Sequence, residues 1–161
     1  MLFKIINVAL VLIYSIGSGL WVNTGDGWYQ SLQQPSWQPP DWVFGVIWPY
    51  NFVVLGIVGW IVSNHSPRSI NILWSLLLAL GVLFALLWAH TFYVDHNLSL
   101  AAAYLLLVAI FAFSLLLFSF VNVGVISLIV LPYVVWVSTA TALSYSYSKR
   151  SEEHTSELQS H

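Results

Sequence analysis

The chain has 161 residues, 59% of them hydrophobic and only 6% charged, with four Lys or Arg against six Asp or Glu. A soluble domain of this length carries about 40 charged residues at the usual quarter of the composition, so the deficit excludes an ordinary soluble globule, a disordered chain and a nucleic-acid binder with a basic face. Cysteine is absent, which excludes a disulfide framework, a thiolate metal site and a cysteine nucleophile.

A bilayer core of about 30 Å is crossed by about 20 mostly apolar residues in a helix. Hydropathy predicts five such spans, at 5–22, 43–63, 70–92, 98–121 and 124–147, the last four free of Lys, Arg, Asp and Glu. In hydrocarbon each backbone polar group needs a partner inside its own segment, so runs of this length are helices. The alternation of a membrane β-barrel is missing. The predicted fold class is therefore all-α, a five-transmembrane-helix bundle formed by residues 1–149. In the first span, Lys4, an apolar run and Ser15-Ile16-Gly17 also mimic a secretory signal peptide. Gly17 and Gly19 suit a close helix crossing equally well.

Most connections are short, at 64–69, 93–97 and 122–123. The exception is 23–42, a long aromatic and proline-rich loop between the first two spans, and loops of such length are usually functional. Lys4 and Arg68 fall on one side of the bundle and Lys149 on the other. That balance favours a cytoplasmic N-terminus by a single residue. Residues 150–161, RSEEHTSELQSH, match the translation of a common sequencing-library adapter at every position and are expected to be foreign. Without them the chain carries three basic and three acidic residues, and its net negative charge disappears.

Five of the nine tryptophans, Trp21, Trp28, Trp37, Trp42 and Trp48, fall within 28 residues. Indoles near span ends form interfacial belts, which accounts for Trp21, Trp60 and Trp74. Trp37 and Trp42 instead bracket Pro39-Pro40, and with Pro35 they make a stiff aromatic segment suited to covering a flat apolar ligand.

The run WYQSLQQPSWQPPDWVFGVIW at 28–48 resembles the first loop and second helix of the tryptophan-rich sensory protein or translocator protein family (TspO/MBR, including the peripheral-type benzodiazepine receptor). LPYVVWVSTATAL at 131–143 is similar to the fifth helix of that family. The resemblance implies a five-helix bundle with a ligand cavity under the first loop, porphyrin (protoporphyrin IX, haem), sterol or synthetic aromatic ligands, no required cofactor, and a homodimer. Carried over residue by residue, the cavity positions are Tyr29, Pro39, Trp42, Trp48, Trp88, Phe92, Trp136 and Ala140. The family Asn and Ser of the third span are replaced here by Ala85 and Ala89, and Asn51 and Phe52 stand where Leu and Tyr are usual. These departures shift the expected recognition toward shape and stacking. The implied role is sensory binding, with light-dependent porphyrin breakdown and passive porphyrin or sterol transport as alternatives.

Other chemistry is sparse. His90, Asp95 and His96 cluster at the end of the third span, but the histidine spacing does not place both rings on one helix face and suggests a helix end rather than a metal site. No catalytic acid–base pair accompanies Asp26 or Asp41, and Asp41 reads as the N-cap of the second span. Leu143, Tyr145 and Lys149 fit a proposed sterol-contact pattern, and the same residues can simply anchor a helix end. Ser75 with Ala79, and Ala85 with Ala89, permit close helix packing.

Overall fold

The computed structural model describes residues 1–160. Its elements are α1 (Leu2–Trp21), α2 (Gly27–Ser31), α3 (Asp41–His65), α4 (Arg68–Tyr93), α5 (Leu98–Val123), a 3-10 segment (Gly124–Val130) and α6 (Leu131–Ser160). The five long helices are those expected from hydropathy, and α1, α3, α4 and the stretch from α5 onward are long and apolar enough to cross a membrane. Two local features differ from the sequence reading. The long loop contains the single-turn helix α2, whose first turn is capped by the Asp26 side chain accepting from the Tyr29 N–H at 2.9 Å. The fifth span is not uniformly α-helical, because it starts as the 3-10 segment.

That start has a backbone cause. Gly124 has φ +76°, a conformation open to glycine, and it separates α5 from the 3-10 segment. The segment becomes α-helical where Pro132 enters the first turn of α6, a position at which a missing N–H is tolerated. Proline cannot supply the 3-10 partner of the Ile129 carbonyl, and Tyr50 of α3 donates its hydroxyl to that oxygen at 2.7 Å.

Helix α1 packs against α3 and α4, α4 against α5, and α5 against α6, while α6 and the 3-10 segment return to α3. The helices thus form a closed ring. One end is tied by side chains buried in its centre. Asn7 Nδ2 donates to Ser63 Oγ (3.2 Å) and to the Gly59 carbonyl (3.4 Å), and Ser75 Oγ donates to Asn7 Oδ1 (2.7 Å). A single asparagine joins α1, α3 and α4. Interhelical hydrogen bonds of this kind contribute about 0.6–2 kcal/mol each in a membrane. Trp74, expected in an interfacial belt, is instead buried beside this node, and its indole N–H donates to Ser119 Oγ of α5 at 2.8 Å. Proximity to a span end misled the sequence reading, since Trp74 lies on the face of α4 turned toward its neighbours while Ile72 and Leu73 beside it are exposed.

Close approach makes the node possible. A Cβ on Gly59 would lie 2.9 Å from Trp74 Cζ3 and 3.2 Å from Asn7 Cβ. Gly17 fulfils its expected crossing role against α4, where a Cβ would meet Leu86 Cδ2 at 2.7 Å, whereas Gly19 has nothing within 4 Å and makes no such crossing. Asp41 is not the N-cap of α3; Pro40 occupies that position and Asp41 lies in the first turn, where a negative charge complements the helix dipole.

Beyond Arg150, residues 151–160 continue α6 as an exposed extension, with Ser99 Oγ donating to Glu152 Oε1 at 3.3 Å. His161 lies outside the described residues.

Gly59→Ala is expected to destabilise the bundle by about 1–3 kcal/mol, because the buried Trp74 ring cannot swing aside. Gly56→Ala, where nothing lies within 4 Å of the added carbon, should be neutral or stabilising. Thermal unfolding of the two variants in the same detergent checks the contrast.

Candidate ligand-binding cavity

At the end of the bundle opposite Asn7, the C-terminal part of α1, the N-terminal half of α3, the end of α4 and the middle of α6 surround a cavity of about 520 Å³. Behind two of its lining rings lies Tyr14, which is 1% exposed and edge-on to Phe52 (5.1 Å between centroids) and Trp48 (6.2 Å). The Tyr14 and Tyr133 hydroxyls share a hydrogen bond at 3.1 Å, so both phenols are satisfied without water.

Above them the wall is aromatic. Trp48 lies nearly parallel to Trp88 (6.4 Å, 22°) and perpendicular to Trp136 (6.4 Å, 88°). Phe44 meets Trp136 edge-on at 5.0 Å, and Trp88 continues to Phe92 at 6.2 Å. Each ring therefore restricts its neighbour, and the indole planes stand at fixed mutual angles. The indole N–H groups of Trp88 and Trp136 and the hydroxyl of Ser144 are buried without a hydrogen-bond partner in the protein. Such groups are rare in packed interiors and raise the question of what meets them.

The loop is fastened across this end at three points. Trp28 stacks on the His96 imidazole at 3.8 Å and 7°, and lies edge-on to Phe92 at 5.5 Å. Tyr29 packs against Tyr93 at 6.0 Å. The Tyr147 hydroxyl of α6 donates to Gln38 Oε1. Within the loop, the Gln38 N–H bonds the Pro35 carbonyl at 3.1 Å, and Pro35 itself is buried. The histidines expected at a helix end are there: His90 Nδ1 lies 3.2 Å from Asp95 Oδ2, and His96 takes φ 57° in the turn after α4.

Of the eight residues singled out from the sequence, Tyr29, Trp48, Trp88, Phe92, Trp136 and Ala140 line the cavity. Pro39 and Trp42 do not. Trp42 is 69% exposed in the first turn of α3, two residues before Phe44 and six before Trp48 and on a different face, and Trp37 is also exposed. Both indoles belong to the outer surface at the loop end, the position of a belt rather than a lid. Leu143, Tyr145 and Lys149 do not form one surface. Leu143 is buried and lines the cavity, whereas Tyr145 is exposed with the Lys149 ammonium 5.6 Å from its ring on the other side of α6. Ala85 and Ala89 lie in the packed interior outside the cavity, so their small size serves helix contact. Asn51 is fully buried with its amide unpartnered, and Phe52 lines the cavity.

Phe44, Phe52, Ser144 and Tyr147 are lining residues that the sequence reading did not select. A helical signal for them exists. Phe44 and Phe52 lie four residues either side of Trp48, and Ser144 and Tyr147 lie four and seven after Ala140, on the same helix faces.

A closed ring of long apolar helices around an internal aromatic cavity, covered by a proline-rich loop, defines an all-α polytopic membrane protein. The sequence profile of the TspO/MBR family matches residues 6–150, and the chain belongs to that family. It is 33% identical to the tryptophan-rich protein TspO of Bacillus cereus over 119 residues, covering 74% of this chain and 77% of the relative. It is 32% identical to protein CrtK of Rhodobacter capsulatus over 122 residues, covering 74% and 75%. It is also 26% identical to the human translocator protein over 134 residues, covering 81% and 78%.

Replacing Tyr147 by Phe removes one loop fastening and should favour loop opening by about 1 kcal/mol, the usual net worth of such a bond. Hydrogen exchange of the amides between Leu32 and Gln38 is then expected to quicken about fivefold, with α5 unchanged.

Proposed function

We propose that this protein binds flat, largely apolar ring systems, porphyrin-like tetrapyrroles foremost, and that occupancy of the cavity serves a sensory or translocating role in the membrane. The reading rests on one observation above others: about 520 Å³ of internal space walled by Trp48, Trp88 and Trp136 beneath a fastened loop. Cavities of about 300–1,000 Å³ with aromatic walls and few polar groups are the usual form of small-molecule sites. A planar ligand gains apolar burial at about 25 cal/mol per Å² and about 0.5–1.5 kcal/mol per well-placed ring contact. Sterols share the flat apolar outline and enter the proposal through the same cavity, with Leu143 as their contact. No cofactor is needed for such binding. The names of the relatives, tryptophan-rich protein and translocator protein, agree with a membrane role of this kind.

Titration with protoporphyrin IX is expected to quench tryptophan fluorescence saturably. Trp136→Ala should weaken the apparent affinity about tenfold or more, since a ring contact and its buried area are lost together. Quenching that never saturates in a folded protein would refute the proposal.

A further inference from the structure

The outer face of α3 carries a second concavity, which shares no residue with the aromatic cavity. It is a groove of about 440 Å³ lined by Val53, Gly56, Ile57, Trp60 and Ile61. The opposite face of the same helix, with Val54, Leu55, Val58 and Val62, is buried in the bundle, so the groove looks outward into the bilayer. Gly56 makes the trough. A Cβ there would have nothing within 4 Å, while Val53, Ile57 and Trp60 stand exposed around it. From Val53 to Trp60 the helix rises about 10 Å, at 1.5 Å per residue. Trp60 closes the end nearest the helix terminus, and the Lys4 ammonium of α1 lies 4.7 Å over its ring. A cation therefore stands at the head of an apolar channel that runs toward the membrane centre.

The charges around that head are of one sign. Lys4 in the first turn of α1, His65 in the last turn of α3 and Arg68 at the start of α4 share the Asn7 end. Asp26, Asp41 and Asp95 all lie at the loop end, and the three glutamates lie beyond it in the extension of α6. Among the described residues, neither Lys4 nor Arg68 makes an ion pair. Both open a helix whose first turn contains no acid, so each adds positive charge to the positive end of a dipole.

An apolar channel headed by an unpaired ammonium fits an amphiphile with an anionic head. The Lys4 ammonium keeps three donors for phosphate oxygens, while its stem and the indole form the rim of the channel. A second copy of the chain fits less well. In a two-fold dimer through this face, with its axis along the membrane normal, the two Lys4 residues would lie at one level with no acid between them. A sterol brings no anion to meet the ammonium. We propose that this groove is a docking site for one anionic phospholipid, its phosphate on Lys4 and an acyl chain along Val53, Gly56, Ile57 and Ile61. Arg68 adds positive potential at the same end.

The test uses the delipidated full chain in a nonionic detergent, with bound lipids counted by native mass spectrometry. Dioleoyl phosphatidylglycerol and dioleoyl phosphatidylcholine serve as probes, because they share their chains and differ in net charge. The first phosphatidylglycerol is expected to bind about fivefold tighter than the first phosphatidylcholine, the contribution of one surface ammonium. Lys4→Gln should bring the two lipids close to equal affinity, whereas Lys149→Gln at the loop end should leave the difference unchanged. Gly56→Leu fills the groove and should weaken the first phosphatidylglycerol about fivefold, with the thermal unfolding of the chain unchanged. Glycerol 3-phosphate, a head without chains, should not displace the bound lipid. Equal affinities in the unaltered chain, or a preference that survives Lys4→Gln, overturns the proposal. Displacement by glycerol 3-phosphate makes this a free-phosphate site and overturns it as well. A lipid-independent dimer that Gly56→Leu abolishes assigns the groove to a second copy instead.

Discussion

The bundle depends on the meeting of α1, α3 and α4 around Asn7 and Gly59. In hydrocarbon no water satisfies a stray amide, so partners on neighbouring helices stabilise a buried asparagine. Asn7 finds them on α3 and α4. The missing side chain of Gly59 is what lets the helices come close enough for those bonds to form. Tying the ring at this end leaves the other end free to keep an internal space, because the helices are already held in register a few turns away.

Aromatic packing carries that order from the tied end to the cavity. Tyr14 sits between the two, bonded to Tyr133 on one side and edge-on to Trp48 and Phe52 on the other. Trp48 then fixes Trp88 and Trp136 at their parallel and perpendicular settings. A wall built this way recognises shape through stiff planes, and it does so with few hydrogen bonds. The loop adds cover through contacts of different kinds: the stacked Trp28 and His96 pair, and the Tyr147 bond to Gln38. Loop proline and helix proline serve the same economy of backbone groups. Pro35 organises the turn under Gln38, and Pro132 leaves a carbonyl that Tyr50 meets.

Membrane spans are legible in a sequence because hydrocarbon imposes one rule on every residue of a long apolar run. The positions of Trp48, Trp88, Phe92, Trp136 and Ala140 came from the family resemblance, residue by residue, and the structure places all five in the lining of one cavity. Less legible were residues whose role depends on which way a helix is turned. Trp42 and Trp48 are six residues apart on α3, and their rotation about the axis separates an exposed indole from a lining one. Leu143 and Tyr145 differ by two residues and lie on opposite sides of α6. Trp74 looked interfacial because it is near a span end, yet its burial follows from the neighbours that α4 meets there.

By itself the sequence determined that this chain is a membrane bundle of five long helices with a stiff aromatic loop, and it pointed to the family. Its low count of charges was a property of composition, readable without coordinates. Tertiary structure alone decided which indoles face inward, that Asn7 unites three helices, and that no basic side chain reaches the cavity among the described residues. The reason is geometric. Hydropathy is summed along one chain, whereas a cavity and its charge are properties of surfaces contributed by several helices at once.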